Sequence, residues 1–381
     1  MRKDSVRPFF ELIRAGLWGS GNPDIRIAGA TDWNYIYRLA QEQSVQGLVL
    51  QGVECLKNHN VSLCIPQVLL LQWIGEVQVI QQRNKAMNAF VAELVEKMRA
   101  ADIYAILVKG QGVAQCYEKP LWRACGDIDL YMSNENFQKS RQFFRPLVES
   151  DEIDDDYAKS INMHYGEWVI EIHRSQYVNI SFKIDRVLDT IHDDLFYCGN
   201  VRSCNICGTQ VFLPSADNDI IIVFTHFLKH FYKGGLGLRQ ICDWCRLLWT
   251  YKDTLNQGLL EKRIREMDLM SEWRAFGVFT VKYMGMPIEA MPLLDGSEVQ
   301  EFKKFEQKAD RICAFILEVG NFGHNRDTSY YGKYPFLIRK AISFGRRLKD
   351  VMRHAQIFPI DSIRFLCGMT ITSFKAVSHG E

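Results

Sequence analysis

The stretch from Lys109 to Met132 constrains this chain more than any other. An apolar run, Ile103 to Val108, stops abruptly at Lys109, Gly110 and Gly112. A segment broken by Pro120 follows, then Arg123 and a second apolar strand carrying Asp127 and Asp129. Side chains alternate across a β-strand, so the two aspartates share one face, roughly 6–7 Å apart, while Ile128 and Leu130 point into a core. Two carboxylates on one face, beside a glycine turn and two cations, suit a magnesium ion that itself holds a phosphate. A strand end with two solvated acids is the ordinary alternative. The glycine turn and Arg123, arriving in the same window, favour the metal.

Further on, Ser160–Tyr165 and Trp168–Arg174 flank Gly166 and Glu167, a two-residue hairpin turn. That turn sets Ser160 opposite His173, Asn162 opposite Glu171 and His164 opposite Val169. One face then reads Ser160, Asn162, His164, Glu171 and His173. The other, from Ile161 and Met163 to Ile170 and Ile172, is core. A polar face carried by so apolar a reverse side is either solvent-exposed or the floor of a site.

Gly110-Gln111 followed by Asp127-Ile128-Asp129-Leu130 resembles the nucleotidyltransferase superfamily typified by DNA polymerase beta, whose signature is a glycine turn followed by Asp-x-Asp. The longer stretch over residues 103–132 is similar to a bacterial family of uncharacterised nucleotidyltransferases. The resemblance implies an α+β fold, a mixed sheet with helices, flanked by N-terminal and C-terminal helical regions. It implies metal-dependent transfer of a nucleoside monophosphate from a nucleoside triphosphate, with Mg2+ (or Mn2+) held by Asp127, Asp129 and a third acid on a later strand. Glu171 is the position it selects, and strand alternation agrees. Lys109, Gly110, Gly112 and Arg123 would receive the triphosphate, and His173 would touch substrate. The acceptor is left open among a small metabolite, a protein side chain, an RNA end and a polysaccharide precursor. Gln111, where the superfamily has a small residue, and the long gap to Asp127 are what favour the rival reading, a non-catalytic nucleotide-binding or scaffold module of the same fold.

The remaining chain reads as helix on both sides. Asp32 caps one helix, Pro66 starts another that keeps an apolar face to Ala101, and helices resume after Pro214. Three regions are expected: a helical arm over 1–100, the α/β core over 101–214 and a helical domain over 215–381. The net charge of +1 argues against a dedicated nucleic-acid binder. No run reaches the ~18 apolar residues of a membrane span, and Asp4, Arg7, Glu11 and Arg14 interrupt any export leader. With eleven scattered cysteines, the expectation is reduced thiols in a cytoplasm.

Four further constellations have two readings each. Cys204/Cys207 and Cys242/Cys245 have zinc-like spacing, but the second pair reads as helix interior, so structural cysteines are favoured. His226 and His230 share a helix face and with Asp243 offer a metallohydrolase centre; the favoured reading has them lining the nucleotide cleft. The acidic run at 151–156 reads as a solvated loop. The basic amphipathic segment from Phe336 to Arg353 reads as a solvated helix face, with a membrane surface, an RNA or a polyanion as its alternatives.

Overall fold

The computed structural model describes residues 3–19, 31–148, 158–294, 299–323, 325, 333 and 335–365. The acidic run at 151–156 therefore lies outside the described residues, as do the ends of the helices expected over 134–150 and 360–374. The fold is α+β: a four-stranded mixed sheet and a two-stranded hairpin set among many helices.

The sheet is built from β1 (Ile106–Val108), β2 (Ile128–Tyr131), β3 (Ser160–Tyr165) and β4 (Trp168–His173), in the spatial order β1-β2-β4-β3. β1 runs antiparallel to β2, β2 parallel to β4, and β3 antiparallel to β4. The β3–β4 register is the one the Gly166 turn dictates: Asn162 faces Glu171 and Ser160 faces His173. Parallel pairing of β2 with β4 needs a long crossover, and the helix Asn134–Phe144, capped by the Ser133 side chain, is part of it. The second hairpin joins Val201–Ile206 to Thr209–Pro214 through Cys207 and Gly208, both at positive φ.

The two sheet faces meet different cores. Ile128, Leu130, Ile161, Met163, Ile170 and Ile172 are buried against the C-terminal half of the helix Gln67–Ala100, through Met87, Val91, Leu94 and Met98. That helix is 34 residues long, and its N-terminal half, with Leu69, Trp73 and Val77, belongs to the other core. The second core joins the N-terminal helices Lys3–Trp18, Trp33–Glu42 and Gln46–Asn58 to the C-terminal helices Ala216–Lys233, Leu238–Tyr251 and Met270–Met284. Polar ties follow the same route: the Trp18 indole donates to Met284 O at 2.7 Å, and Gln43 to Ile316 O at 3.2 Å. The first helices are thus packed on the last ones.

Helix ends follow local chemistry. The Asp32 side chain accepts from Tyr35 N, which satisfies one of the orphan amides of the first turn. Gly234, at φ 99°, ends the helix Ala216–Lys233 in the left-handed conformation that glycine adopts without steric cost. Among the described residues no helix is long and apolar enough to cross a membrane.

Candidate active site

The sheet register gathers the site. Val108, Asp129 and Glu171 lie side by side across β1, β2 and β4, and His173 is two residues further along β4 on the same face. Lys109 Nζ reaches Asp129 Oδ1 at 2.9 Å, and His173 Nε2 approaches the same oxygen at 3.0 Å. Glu171 Oε2 is 3.6 Å from His173 Nε2. One potential ligand atom from each of Asp129, Glu171 and His173 lies within 4.8 Å of the others. Lys109 is turned to the acids by a backbone at φ 57°, ψ −144°, a region that costs a non-glycine residue about 1–3 kcal/mol. Such strain is tolerated where the surroundings fix it, as the carboxylates do here.

Charge is unevenly held. Burial would raise the Asp129 carboxyl, but the Lys109 ammonium and the His173 imidazole outweigh it and hold the group well below the usual carboxylate range. Asp127 is pushed the other way, by burial and by its neighbour Asp129. Lys109, whose ammonium burial alone would weaken, is raised by Asp129 and Glu171. Three carboxylates with one ammonium and one imidazole among them form a site that favours further positive charge.

Opposite this face stands the helix Ala216–Lys233, whose Val223, Phe224, Phe227, Leu228 and Phe231 fix it in the core. Its remaining face presents His226, Lys229 and His230 one turn apart, towards the carboxylates. Between sheet and helix lies a cavity of about 380 Å³ that Asp127, Asp129 and Glu171 line from one side and His226, Lys229 and Arg239 from the other. His226 and His230 approach each other with Nε2 atoms 3.2 Å apart. Burial and the Lys109 charge keep His226 well below the ordinary imidazole range; burial and Lys229 take His230 down to about 3. Burial and the nearby Lys233 and Lys109 also lower Lys229. Arg239 Nη1 donates to Ala124 O at 2.6 Å, while its buried Nε has no partner among the described residues.

A strained turn, an Asp-x-Asp strand and a third acid on the adjacent parallel strand thus converge on one cavity. The family described as "Uncharacterised nucleotidyltransferase" matches residues 29–284, which include both walls of that cavity. The chain belongs to this nucleotidyltransferase family. Comparison with curated proteins and with solved structures gives no match.

Within this member of the family the remaining residues singled out in the sequence fall into two groups. Gly110, at φ 33°, lines the cavity, and a Cβ there would meet only Asp127 O at 3.5 Å. Gly112 faces the interior instead: a Cβ would lie 2.8 Å from Leu213 Cδ2, so the second glycine serves packing between the short helix Gly110–Ala114 and the Thr209–Pro214 strand. Gln111 points away from the cavity. Its amide reaches Asn84 Oδ1 at 3.4 Å and its carbonyl accepts from Cys125 Sγ at 3.3 Å. Asn84 in turn donates to Leu121 O and Arg123 O. The unusual glutamine therefore fastens the long loop before Asp127 and leaves the Gly110 surface open. Arg123 lines the cavity, but its guanidinium is held in a buried two-point pair with Asp243, Nε–Oδ1 2.9 Å and Nη2–Oδ2 2.6 Å.

Asp243 also accepts from the Tyr117 hydroxyl at 2.8 Å, so it is occupied by these partners and does not join His226 and His230 as a ligand set among the described residues. Cys242 and Cys245 are buried within the helix Leu238–Tyr251, and neither cysteine pair belongs to a metal cluster among the described residues. Lys229 and Arg239 were not anticipated. Their chemistry is ordinary in sequence, and only the packing of two distant helices brings them to the carboxylates.

Proposed function

We propose that this protein transfers a nucleoside monophosphate from a nucleoside triphosphate to an acceptor hydroxyl and releases pyrophosphate. The observation that carries the reading is the meeting of Asp129, Glu171 and His173 on adjacent strands, within 4.8 Å, at the edge of a cavity whose far wall is cationic. The donor set fits a divalent cation: two carboxylates and an imidazole converge, one carboxylate is firmly ionised, and a buried ammonium is already drawn to it. Asp127, Asp129 and Glu171 would hold Mg2+ or Mn2+, with His173 beside them. Such an ion supplies charge neutralisation on the phosphates and a lowered pKa for the attacking hydroxyl.

The chain's own groups supply the rest. The bare Gly110 backbone admits the triphosphate close to the turn, where a side chain would stand in its way. Lys109, Lys229 and Arg239 offer positive charge, and Arg239 Nε is a buried donor awaiting an acceptor. Glu171, half-buried, lining the cavity beside His173, would take the proton of the acceptor hydroxyl. The reading is tested by pyrophosphate release from mixed α-labelled triphosphates with magnesium and lysate. Wild-type protein should transfer label, and Glu171→Gln should slow transfer about 100-fold or more, roughly 3 kcal/mol in the barrier. Label transfer at the wild-type rate by Glu171→Gln would remove the assignment of the base.

A further inference from the structure

A second cavity, of about 160 Å³, opens beside the first and shares Lys109, Glu171, His226 and Lys229 with it. Its own wall comes from the loop after β4 and the start of β3: Lys159, Ser160, Ser175, Gln176, Tyr177 and Asn179. Nothing in the nucleotide reading uses these residues. Two of them carry buried polar atoms, Ser175 Oγ and Gln176 Nε2, without a hydrogen-bond partner among the described residues. An unpartnered buried polar atom costs roughly 1–3 kcal/mol, and a polar ligand is what would satisfy it. Lys159 lies with its Nζ 4.2 Å from the centre of the Tyr177 ring and lines this cavity but not the first one.

We propose that this second cavity is the acceptor site and that it takes a small hydroxylated anion, of the sugar-phosphate or hydroxy-acid class. The proposal rests on the transferase reading for the chemistry but not for the binding. Three observations fix the class. The volume is below the ~300–1,000 Å³ of drug-sized ligand pockets, too small for a second nucleotide. The wall is polar, with hydroxyl, amide and phenol groups suited to a molecule rich in hydroxyls. Cations line it: Lys109 and Lys229, shared with the first cavity, and Lys159, which lines the second and not the first. A ligand whose anionic group lies by Lys159 presents a hydroxyl to Glu171 at the boundary. That oxygen forms a bond to the α-phosphorus, the bond from the α-phosphorus to the β-phosphate oxygen breaks, the proton passes to the Glu171 carboxylate, and pyrophosphate leaves.

The test uses the full chain and four probes: ribose 5-phosphate, glycerol 3-phosphate, neutral ribose and inorganic phosphate. Binding is measured by calorimetry on nucleotide-free protein, and turnover by pyrophosphate release with magnesium and mixed triphosphates. The hydroxylated anions should bind more tightly than either ribose or phosphate and should accelerate release. Ser175→Ala and Gln176→Ala should each weaken probe binding by about two- to tenfold, the worth of one hydrogen bond. Lys159→Ala should weaken the anions and leave ribose unaffected. Triphosphate affinity should be unchanged in all three. If triphosphate binds and is slowly hydrolysed but no probe binds, or phosphate alone binds as tightly as its sugar ester, the acceptor assignment falls while the transferase reading stands. If the probes bind through Ser175 and Gln176 but no triphosphate binds with any divalent metal, the transferase reading falls and the anion site stands. Label arriving on protein or RNA instead of a small molecule overturns the assignment.

Discussion

Asp127, just before β2, and Asp129, within it, stand two residues apart, yet their surroundings make them opposite in energetic character. Asp129 is buried and held ionised by Lys109 and His173. Its folded-state pKa lies below the unfolded value of about 3.9, so its contribution is fully present above that pH and is lost as pH falls towards the folded value. Asp127 has a raised folded pKa, caused by burial and by Asp129, so its ionisation weakens the fold as pH rises through that range. Asp129→Asn should therefore cost about 3–5 kcal/mol at neutral pH, because it strands the buried Lys109 ammonium. Asp127→Asn should leave the metal-free protein equally or more stable. Both should lose most metal-dependent turnover, since each removes an anionic oxygen ligand that magnesium prefers. Denaturation series between acid and neutral pH check the signs: the gap between wild type and Asp129→Asn should shrink below about pH 4. A stability cost for Asp127→Asn as large as that for Asp129→Asn would show that the two acids are not differentiated as described.

At the scale of elements, the four strands of the main sheet are legible in sequence, whereas the hairpin Val201–Pro214 is not and the helices around the site are legible only in part. The β3–β4 hairpin was readable to the register because period-two alternation and a Gly-containing turn specify it together. The helix Phe182–Phe196 was passed over, although Ser181 caps it and Ile184, Val187, Leu188, Ile191 and Leu195 fall at helical spacing on its buried side. Lys229 and Arg239 carried no such signal, because nothing local says which sheet face a distant helix will oppose. The helix Ala216–Lys233 makes its own prediction. His226 and His230 are neutral because burial and neighbouring cations disfavour their charge. A bound triphosphate reverses the local sign and favours protonation. Triphosphate binding should therefore take up protons, and affinity should rise as pH falls through the raised bound-state pKa towards the free-state value, about 3 for His230. Calorimetry in buffers of different ionisation enthalpy measures the uptake directly. Zero uptake, in wild type and in His226→Gln alike, would place the phosphates away from this helix.

At the scale of the whole molecule, the division into an arm, a core and a helical domain at 100 and 214 does not coincide with the division of the apolar cores. One core takes the sheet's inner face with half of the long helix Gln67–Ala100; the other joins the first helices to the last. Contacts between residues hundreds of positions apart are invisible to periodicity. The Arg123–Asp243 pair links the site loop to the helix Leu238–Tyr251, beside the Arg239 bond to Ala124 O, and both of its side chains are more than nine-tenths buried. A buried pair of this kind is costly to break from one side and cheap to replace as a unit. Arg123→Met should leave the Asp243 anion, among the described residues, with the Tyr117 hydroxyl and the nearby Arg239 charge, and should cost about 3–5 kcal/mol. Asp243→Leu should cost a similar amount by stranding the guanidinium. The double variant should recover much of the loss, giving a coupling energy within the ~0.5–3 kcal/mol typical of contacting residues or above it. Denaturant titrations followed by tryptophan fluorescence and by circular dichroism measure both the energies and whether the two cores unfold together. Nucleotide affinity on the same variants separates a clamp from a phosphate ligand. A clamp lowers stability and affects affinity through the loop it positions, so the double variant should regain affinity along with stability. Were Arg123 a ligand to the phosphates, the double variant would regain stability and remain unable to bind.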